Sequence, residues 1–191
     1  NLHHGQEEIT VHQTASSKPH DAQSMILCVT SNFPRWQGDS TTPFVLHLAR
    51  DLQALGWTVH VLAPHAEHGT ASNEVIDGVY VERFHYLWPR RLQTVCYHGG
   101  ALGNLRSNRL NFLKLPALVV CQWLAIYRRL RTKRYDMVHS HWILPQGFTA
   151  SIASMFLGIP HVLTVHGGDV FALKSRILKL FKRFSVRKAD A

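Results

Sequence analysis

The chain has few cysteines and no pattern among them. Cys28, Cys96 and Cys121 make an odd number with no Cys-x-x-Cys pair, which excludes a disulfide framework and the usual zinc ribbons. They read as reduced thiols of a cytoplasmic protein. Also absent are a Gly-x-Gly-x-x-Gly fingerprint, a Walker loop and a His-Glu-x-x-His pair, so dinucleotide, P-loop and metalloprotease readings have no motif to stand on. No apolar run reaches the ~20 residues of a spanning helix. The longest stretch, Phe112 to Tyr127, is interrupted by Lys114, Pro116 and Gln122, and reads as a buried or interfacial helix. Residues 1–23 lack the basic start and apolar centre of a signal peptide; they read as a disordered tail. The chain opens on Asn1 rather than Met, as a fragment or processed product would.

Acid is scarce as well. Of 191 residues, 21 are Lys or Arg and 12 are Asp or Glu, a net charge of +9 with the 14 histidines neutral. Such a balance implies an anionic partner: nucleic acid, phospholipid or a phosphorylated small molecule. From residue 174 to residue 188 there are seven bases and no acid. Three readings of this stretch stand open: a solvated helix face, a basic amphipathic contact with anionic lipid, and a nucleic-acid surface. No helix-turn-helix, zinc-finger or RNA-binding signature supports the third, so nucleic acid is not expected. Hydrophobic residues make up 46% of the chain, enough for a sizeable core in one domain spanning 24–191.

Hydrophobic periodicity organises that domain. Ile26 to Thr30 is a short apolar β-rich run. After the polar loop SNFPRWQGDSTT, one of Ser40, Thr41 or Thr42 is placed to cap a helix that starts at Pro43 and ends before Gly56. Thr58 to Ala63 is the next strand, which completes a βαβ unit. Asp77-Gly78 marks a turn before the alternating strand Val79 to Phe84. Residues 85–108 read as a long loop with helical pieces. A helix is expected from Pro116 to Thr132, with Val119, Val120, Trp123, Tyr127 and Leu130 along one side. Asp136 to His141 is a strand that ends in polar residues. Pro145 and Gly147 break the chain, and Phe148, Ile152, Met155 and Phe156 mark a helix closed by Gly158 and Pro160. His161 to Val165 is a further strand. A last amphipathic helix, Ser175 to Phe184, would bury Ile177, Leu178, Phe181 and Phe184. This order predicts an α/β domain: a Rossmann-like, doubly wound, mostly parallel sheet.

Ligands of such sheets lie beyond the carboxyl ends of the strands, where three polar loops fall. In the first, Gly38 permits close backbone approach before a helix N-terminus, a geometry suited to anions. In the second, HSHWILPQG, His139 and His141 alternate onto one face, and Trp142 is either core or a platform for a sugar ring. The third is HGGD. Gly167 and Gly168 clear space for a ligand or for another backbone, while His166 can donate to a hydroxyl and Asp169 can accept from one, act as a base or cap a helix. His139, His141, His166 and Asp169 are the candidates for metal ligands; their spacing matches no metal motif, and no metal is expected.

Three segments in order carry a resemblance. FPRWQGDSTTPFVLHLARDLQALGWTVHVLAPH resembles the opening βαβ unit of family 4 glycosyltransferases of the GT-B fold. YDMVHSHWILPQG is similar to that family's middle strand and loop, and IPHVLTVHGGD to its strand followed by His-Gly-x-Asp. The resemblance covers the chain from about Met25 onward, except the variable 85–108 region. It implies retaining transfer of a sugar from a nucleotide-sugar donor to a glycan or lipid-linked acceptor, without an essential metal or other cofactor. It also implies two Rossmann-like domains, the first binding the acceptor and the second the donor. By the same resemblance His166 and Asp169 are the catalytic pair near the donor sugar. Gly38 falls in the loop facing the donor diphosphate, with Asp39 beside it a further substrate-binding candidate; His141 and Trp142 lie near the acceptor, and Gly167 and Gly168 give clearance. Members are often peripheral membrane enzymes, which suits the 174–188 helix and a place on the inner face of the membrane.

The chain departs from the family at two points. Where many members have paired glycines it has Gly38-Asp39, and the Glu-x7-Glu donor motif is absent, every Glu lying at or before Glu82. The expectation is an acceptor-side half, inactive or nearly so without its donor-binding domain. The alternative is a stand-alone acceptor-binding or scaffold domain that pairs with a separate donor-binding subunit.

Overall fold

The structure is a computed structural model; it describes residues 24–66, 70–97, 100–168 and 175–191. The expected tail at 1–23 and the candidate Asp169 lie outside the described residues.

Six strands form one sheet in the order β3-β4-β2-β1-β5-β6. They are β1 (Met25–Val29), β2 (Thr58–Pro64), β3 (Asn73–Ile76), β4 (Val79–Phe84), β5 (Met137–His141) and β6 (His161–Thr164). All neighbours are parallel except β3, which pairs antiparallel with β4. The doubly wound, mostly parallel α/β architecture is the one the strand and helix order predicts.

Helix α1 (Pro43–Ala54) joins β1 to β2 and packs Val45, Leu46 and Ala49 on Ile26 and Cys28. The opposite face of β1, Leu27 and Val29, meets helices α3 (Leu115–Thr132) and α4 (Phe148–Leu157). Each fully buried Val, Leu or Ile contributes about 1.5–3 kcal/mol, so β1 is the spine of both layers. The sheet reverses direction at β1, with β2 on one side and β5 on the other. That reversal opens a crevice at their carboxyl ends.

Local chemistry explains the boundaries. At the end of α1, Gly56 takes φ +92°; its N–H reaches the Gln53 carbonyl at 2.9 Å and the Trp57 N–H reaches that of Leu52 at 3.1 Å, a Schellman stop. The start of α1 differs from expectation. Pro43 opens the helix, but Thr42 sits at φ 46° and its side chain makes no cap. Strand β3, absent from the sequence reading, folds back over Asp77-Gly78, both at positive φ as a tight hairpin turn demands.

Two helices bury other faces than their large residues suggest. In α3 the buried row is Leu118, Gln122, Ile126 and Leu130, one per turn, rather than the row through Val119 and Trp123. Gln122 Nε2 donates to Thr149 Oγ1 at 2.9 Å, while its buried Oε1 has no hydrogen-bond partner. By length and composition Arg109–Thr132 could cross a membrane, yet it is the crossover between two strands of one sheet. In α4 the small residues Ala150, Ser151, Ala153 and Ser154 face inward, while Met155 and Phe156 are exposed, because α3 and the sheet approach too closely for large side chains. Helix α5 (Arg176–Lys188) is capped by Ser175, whose Oγ accepts from the Leu178 N–H at 3.2 Å. Phe181 and Phe184 pack on Phe148, whereas Ile177, expected inside, is 66% exposed.

Gly147 is not a simple chain breaker. It is buried in α-helical geometry, φ −58° and ψ −40°. A Cβ there would lie 2.9 Å from Leu163 Cδ1 and 3.2 Å from the Trp142 carbonyl. Alanine normally stabilises a helical site, but here we expect Gly147→Ala to destabilise by about 1–2 kcal/mol through overpacking. An unchanged urea midpoint would remove that contact from the account.

Candidate active site

Strand β5 delivers alternating side chains to the crevice. His139 and His141 point to the α1 side, with ring centroids 4.6 Å apart. Ser140 points to the other side and meets His161 Nε2 at 2.7 Å. His139 Nε2 lies 2.8 Å from Thr164 Oγ1, and His141 Nδ1 lies 3.2 Å from His166 Nε2. The His141 and His166 rings stack with 19° between their planes. Phe44 and Trp142 pack on His166, with centroids 5.0 and 4.7 Å away. The structure thus brings together His166, His141 and Trp142.

The rings are held neutral. Burial, and then the positive charge that His139 and His166 would carry, pushes His141 down to about 3. Burial also lowers His166 and His139 from the ordinary range. At neutral pH each carries one ring proton. His141 Nε2 is buried with no protein partner. Among the described residues no group of His, Cys, Asp and Glu is arranged to hold a metal ion.

Beside this stack lies a cavity of about 460 Å³ with one polar side, formed by Asn32, Arg35, Thr41, Thr42 and Tyr97, and one apolar side, formed by Leu102, Leu144 and Pro145; Gly168 lies at its edge. Trp142 joins it to the histidines. Asp39 does not stand alone here. Arg35 Nε donates to it at 2.8 Å and Arg35 Nη2 at 3.2 Å, with the Arg35 and Thr41 backbone N–H groups adding bonds at 2.8 and 3.3 Å. The Arg35 guanidinium holds the Asp39 carboxyl well below the usual carboxylate range. Asp39 therefore clasps the loop that presents Arg35. Gly38 forms the turn of that clasp at φ +83°, exposed, with open space where a Cβ would sit. Gly167 and Gly168 are likewise exposed and open.

Sequence reasoning missed Asn32, Arg35, Tyr97 and Arg83. Asn32 Oδ1 accepts from the Tyr97 N–H at 2.8 Å, which ties the long 85–108 segment to the β1 loop. Arg83, fully buried, donates to Glu74 Oε1 at 2.9 Å, to the Tyr97 hydroxyl at 2.8 Å and to the Pro34 carbonyl at 2.6 Å. One guanidinium thus fixes both walls of the cavity. No local pattern announces this, since the partners are far apart in sequence.

Backbone strain gathers at the same place. The positive-φ non-glycine residues described are Thr42, Asp77, Tyr97 and Trp142. Asp77 belongs to its hairpin turn, and the other three all line the cavity. Each such conformation costs on the order of 1–3 kcal/mol and persists where the surroundings impose it, most often at functional sites.

The crevice lies at the switch point of a doubly wound parallel sheet, the place where Rossmann-like domains bind their ligands. The glycosyl transferase 4-like domain family matches residues 41–191, and the chain belongs to it. An uncharacterized glycosyltransferase of Methanocaldococcus jannaschii is 34% identical over 62 residues, 32% of this chain and 18% of that protein. A Bacillus subtilis protein described as a teichuronic acid biosynthesis glycosyltransferase is 39% identical over 49 residues, 26% of this chain and 13% of that one. The matched stretches are thus small parts of both relatives. Among solved structures, sucrose-phosphate synthase from Thermosynechococcus elongatus superposes with a TM-score of 0.49 at 16% identity, covering 86% of this chain and 73% of that one.

Proposed function

We propose that this chain is the acceptor-side domain of a retaining glycosyltransferase. It works with a donor-binding domain to move a sugar from a nucleotide sugar to a glycan or lipid-linked acceptor. The observation that carries the reading is the convergence of the β1, β5 and β6 loops, with three strained residues, on one polar cavity flanked by His166. A neutral His166 would hydrogen-bond a hydroxyl of the transferred sugar. Arg35, Asn32 and Thr41 supply donors and acceptors for the acceptor's polar groups. Gly38, Gly167 and Gly168 leave room for a substrate to approach the backbone. Asp169, if it stands beside His166 as the family resemblance implies, would take hydroxyl contacts or a proton. Transfer needs both substrates held across a cleft, so this domain alone is inactive or nearly so. No cofactor beyond the nucleotide sugar is required. The same proposal places the protein in the cytoplasm, at the inner face of the membrane. Its support is α5, which carries Arg176, Lys179, Lys182, Arg183, Arg187 and Lys188 with no acid, beside exposed Ile177, Leu180 and Val186.

The test is a panel of uridine, guanosine and adenosine diphosphate sugars offered to the full-length protein with candidate acceptors. Release of the nucleoside diphosphate and the anomeric configuration of the product are read by NMR. Retained configuration is expected; inversion would overturn the retaining assignment, and no turnover with any donor the transferase reading. Sedimentation with phosphatidylglycerol-containing vesicles should fall as salt rises. Absent or salt-insensitive binding counts against α5 as a membrane contact.

A further inference from the structure

An apolar groove of about 640 Å³ runs between helix α2 (Gly100–Ser107), α3 and α5. Ser31, Ala101, Leu102, Leu144 and Pro145 wall both this groove and the polar cavity, so the two are contiguous. The groove's sides include Phe112, Val120 and Phe181, which are 50%, 54% and 40% exposed. Large apolar side chains that meet along a channel mark a binding surface more often than scattered ones do.

Two further observations say what kind of molecule fits. The first is charge. No Asp or Glu occurs from Arg83 to Tyr135, the stretch that supplies two walls, while Arg106, Arg109 and Lys114 lie within it. Helix α5, the third wall, is equally free of acid, and its Lys182 lines the groove. The second is Gln146. It lines the groove beside Leu144 and Pro145, is only 1% exposed, and neither its Nε2 nor its Oε1 has a hydrogen-bond partner. A buried carboxamide with both ends unpaired is costly, and it is satisfied when a polar ligand group reaches it.

We propose that the groove binds the hydrocarbon chain of an anionic amphiphile, a lipid phosphate that carries the acceptor, with its head in the contiguous polar cavity. This rests on the transferase reading and deepens it: the acceptor is lipid-borne, and the domain grips part of the lipid. A chain-shaped apolar slot leading to a polar pocket matches one tail and one head. The lack of acid in the segments around the slot favours a phosphate over a neutral head, and Gln146 is placed near the junction to donate to it.

The test uses the full-length protein and dodecyl phosphate below its micelle concentration, followed by calorimetry. Dodecyl phosphate should bind, inorganic phosphate should not compete at equal concentration, and uncharged dodecyl maltoside should bind at least tenfold more weakly. Val120→Asp and Phe112→Asp, both at exposed positions, should weaken dodecyl phosphate at least tenfold. Leu55→Asp, 76% exposed at the end of α1, should leave binding unchanged. Gln146→Leu should weaken dodecyl phosphate without weakening the maltoside. The proposal is overturned if dodecyl phosphate does not bind, if the groove variants bind like wild type, or if Leu55→Asp loses as much as they do. Equal binding of dihexanoyl phosphatidylglycerol would assign the groove to bulk phospholipid and also overturn it. The two readings fail separately. Transfer to a water-soluble acceptor with no dodecyl phosphate bound removes the groove's role and keeps the transferase. Tight dodecyl phosphate binding with no transfer from any nucleotide sugar does the reverse.

Discussion

Replacing His166 by alanine in the full-length protein should lower sugar transfer by a hundredfold or more while leaving the domain folded. A positioned side chain that hydrogen-bonds or shuttles a proton in the transition state contributes about 10²–10⁴-fold. His166 is well positioned: stacked on His141, packed on Trp142 and Phe44, and held neutral by desolvation. Truncation removes both the hydrogen bond and the stacking, so a second variant separates them. His166→Phe keeps a ring against Trp142 but cannot donate; it should be as inactive as alanine and nearly as stable as wild type. His47→Ala, exposed on the outer side of α1, is the control and should turn over normally. Near-normal rates for both His166 variants would take this residue out of the chemistry.

Much of this arrangement is legible in the sequence, because it depends on local order. Strands β1, β2, β4 and β6 announce themselves as short apolar, β-rich runs between breakers, and β5 as a short run that ends in polar residues. The order of those runs fixes which loops share an edge. His139 and His141 had to fall on one face, since strand side chains alternate. His166 and Trp142 follow strand ends that the sheet places side by side. What could not be read depends on long-range packing. α3 is apolar on most sides, so periodicity did not single out the row through Gln122, whose one partner, Thr149, comes from another helix. α4 turns small residues inward for lack of space, a fact of neighbouring elements rather than of its own pattern. β3 has four residues with Val75 largely exposed, too little contrast to register as a strand.

The cavity's polar wall was hidden for a similar reason. The sequence sets Asp39 among the substrate-binding candidates and leaves Arg35 an ordinary loop residue; the ion pair shows that Asp39 presents Arg35. Tyr97 lies in the least patterned stretch of the chain, and its place depends on Arg83 and Asn32 from two other elements. The paired glycines expected in the first loop are replaced here by Gly38 and a clasping Asp39. Backbone clearance remains at one residue, and the next holds the loop shut.

The cluster of buried histidines should make the protein acid-sensitive well above the pH at which carboxylates titrate. His161 is fully buried between Ser140 and Ser151 and is pushed down to about 4 by burial, despite Asp190 pulling the other way. His141 lies near 3. In the unfolded chain both return to about 6.5. Between those limits the unfolded state binds protons that the native state refuses. Stability from these two groups is therefore full above about pH 6.5 and falls as the pH drops, until His161 and then His141 charge in the native state. The limiting slope is about 1.4 kcal/mol per pH unit for each, so a shift from pH 7 to pH 5 removes about 2 kcal/mol per group and about 4 kcal/mol together. Against the ~5–15 kcal/mol that holds a typical domain folded, that loss is large. His65, pushed down to about 4 chiefly by burial, acts in the same direction. Asp39 does not contribute in this window, because its stabilisation is lost only below the ordinary carboxylate range. Urea unfolding at pH 7 and pH 5 measures the difference. His161→Gln, which keeps a polar side chain toward both serines but cannot charge, should flatten the dependence by about a third, since His141 and His65 remain. Equal stability at the two pH values would mean that these rings are not excluded from water as the structure places them.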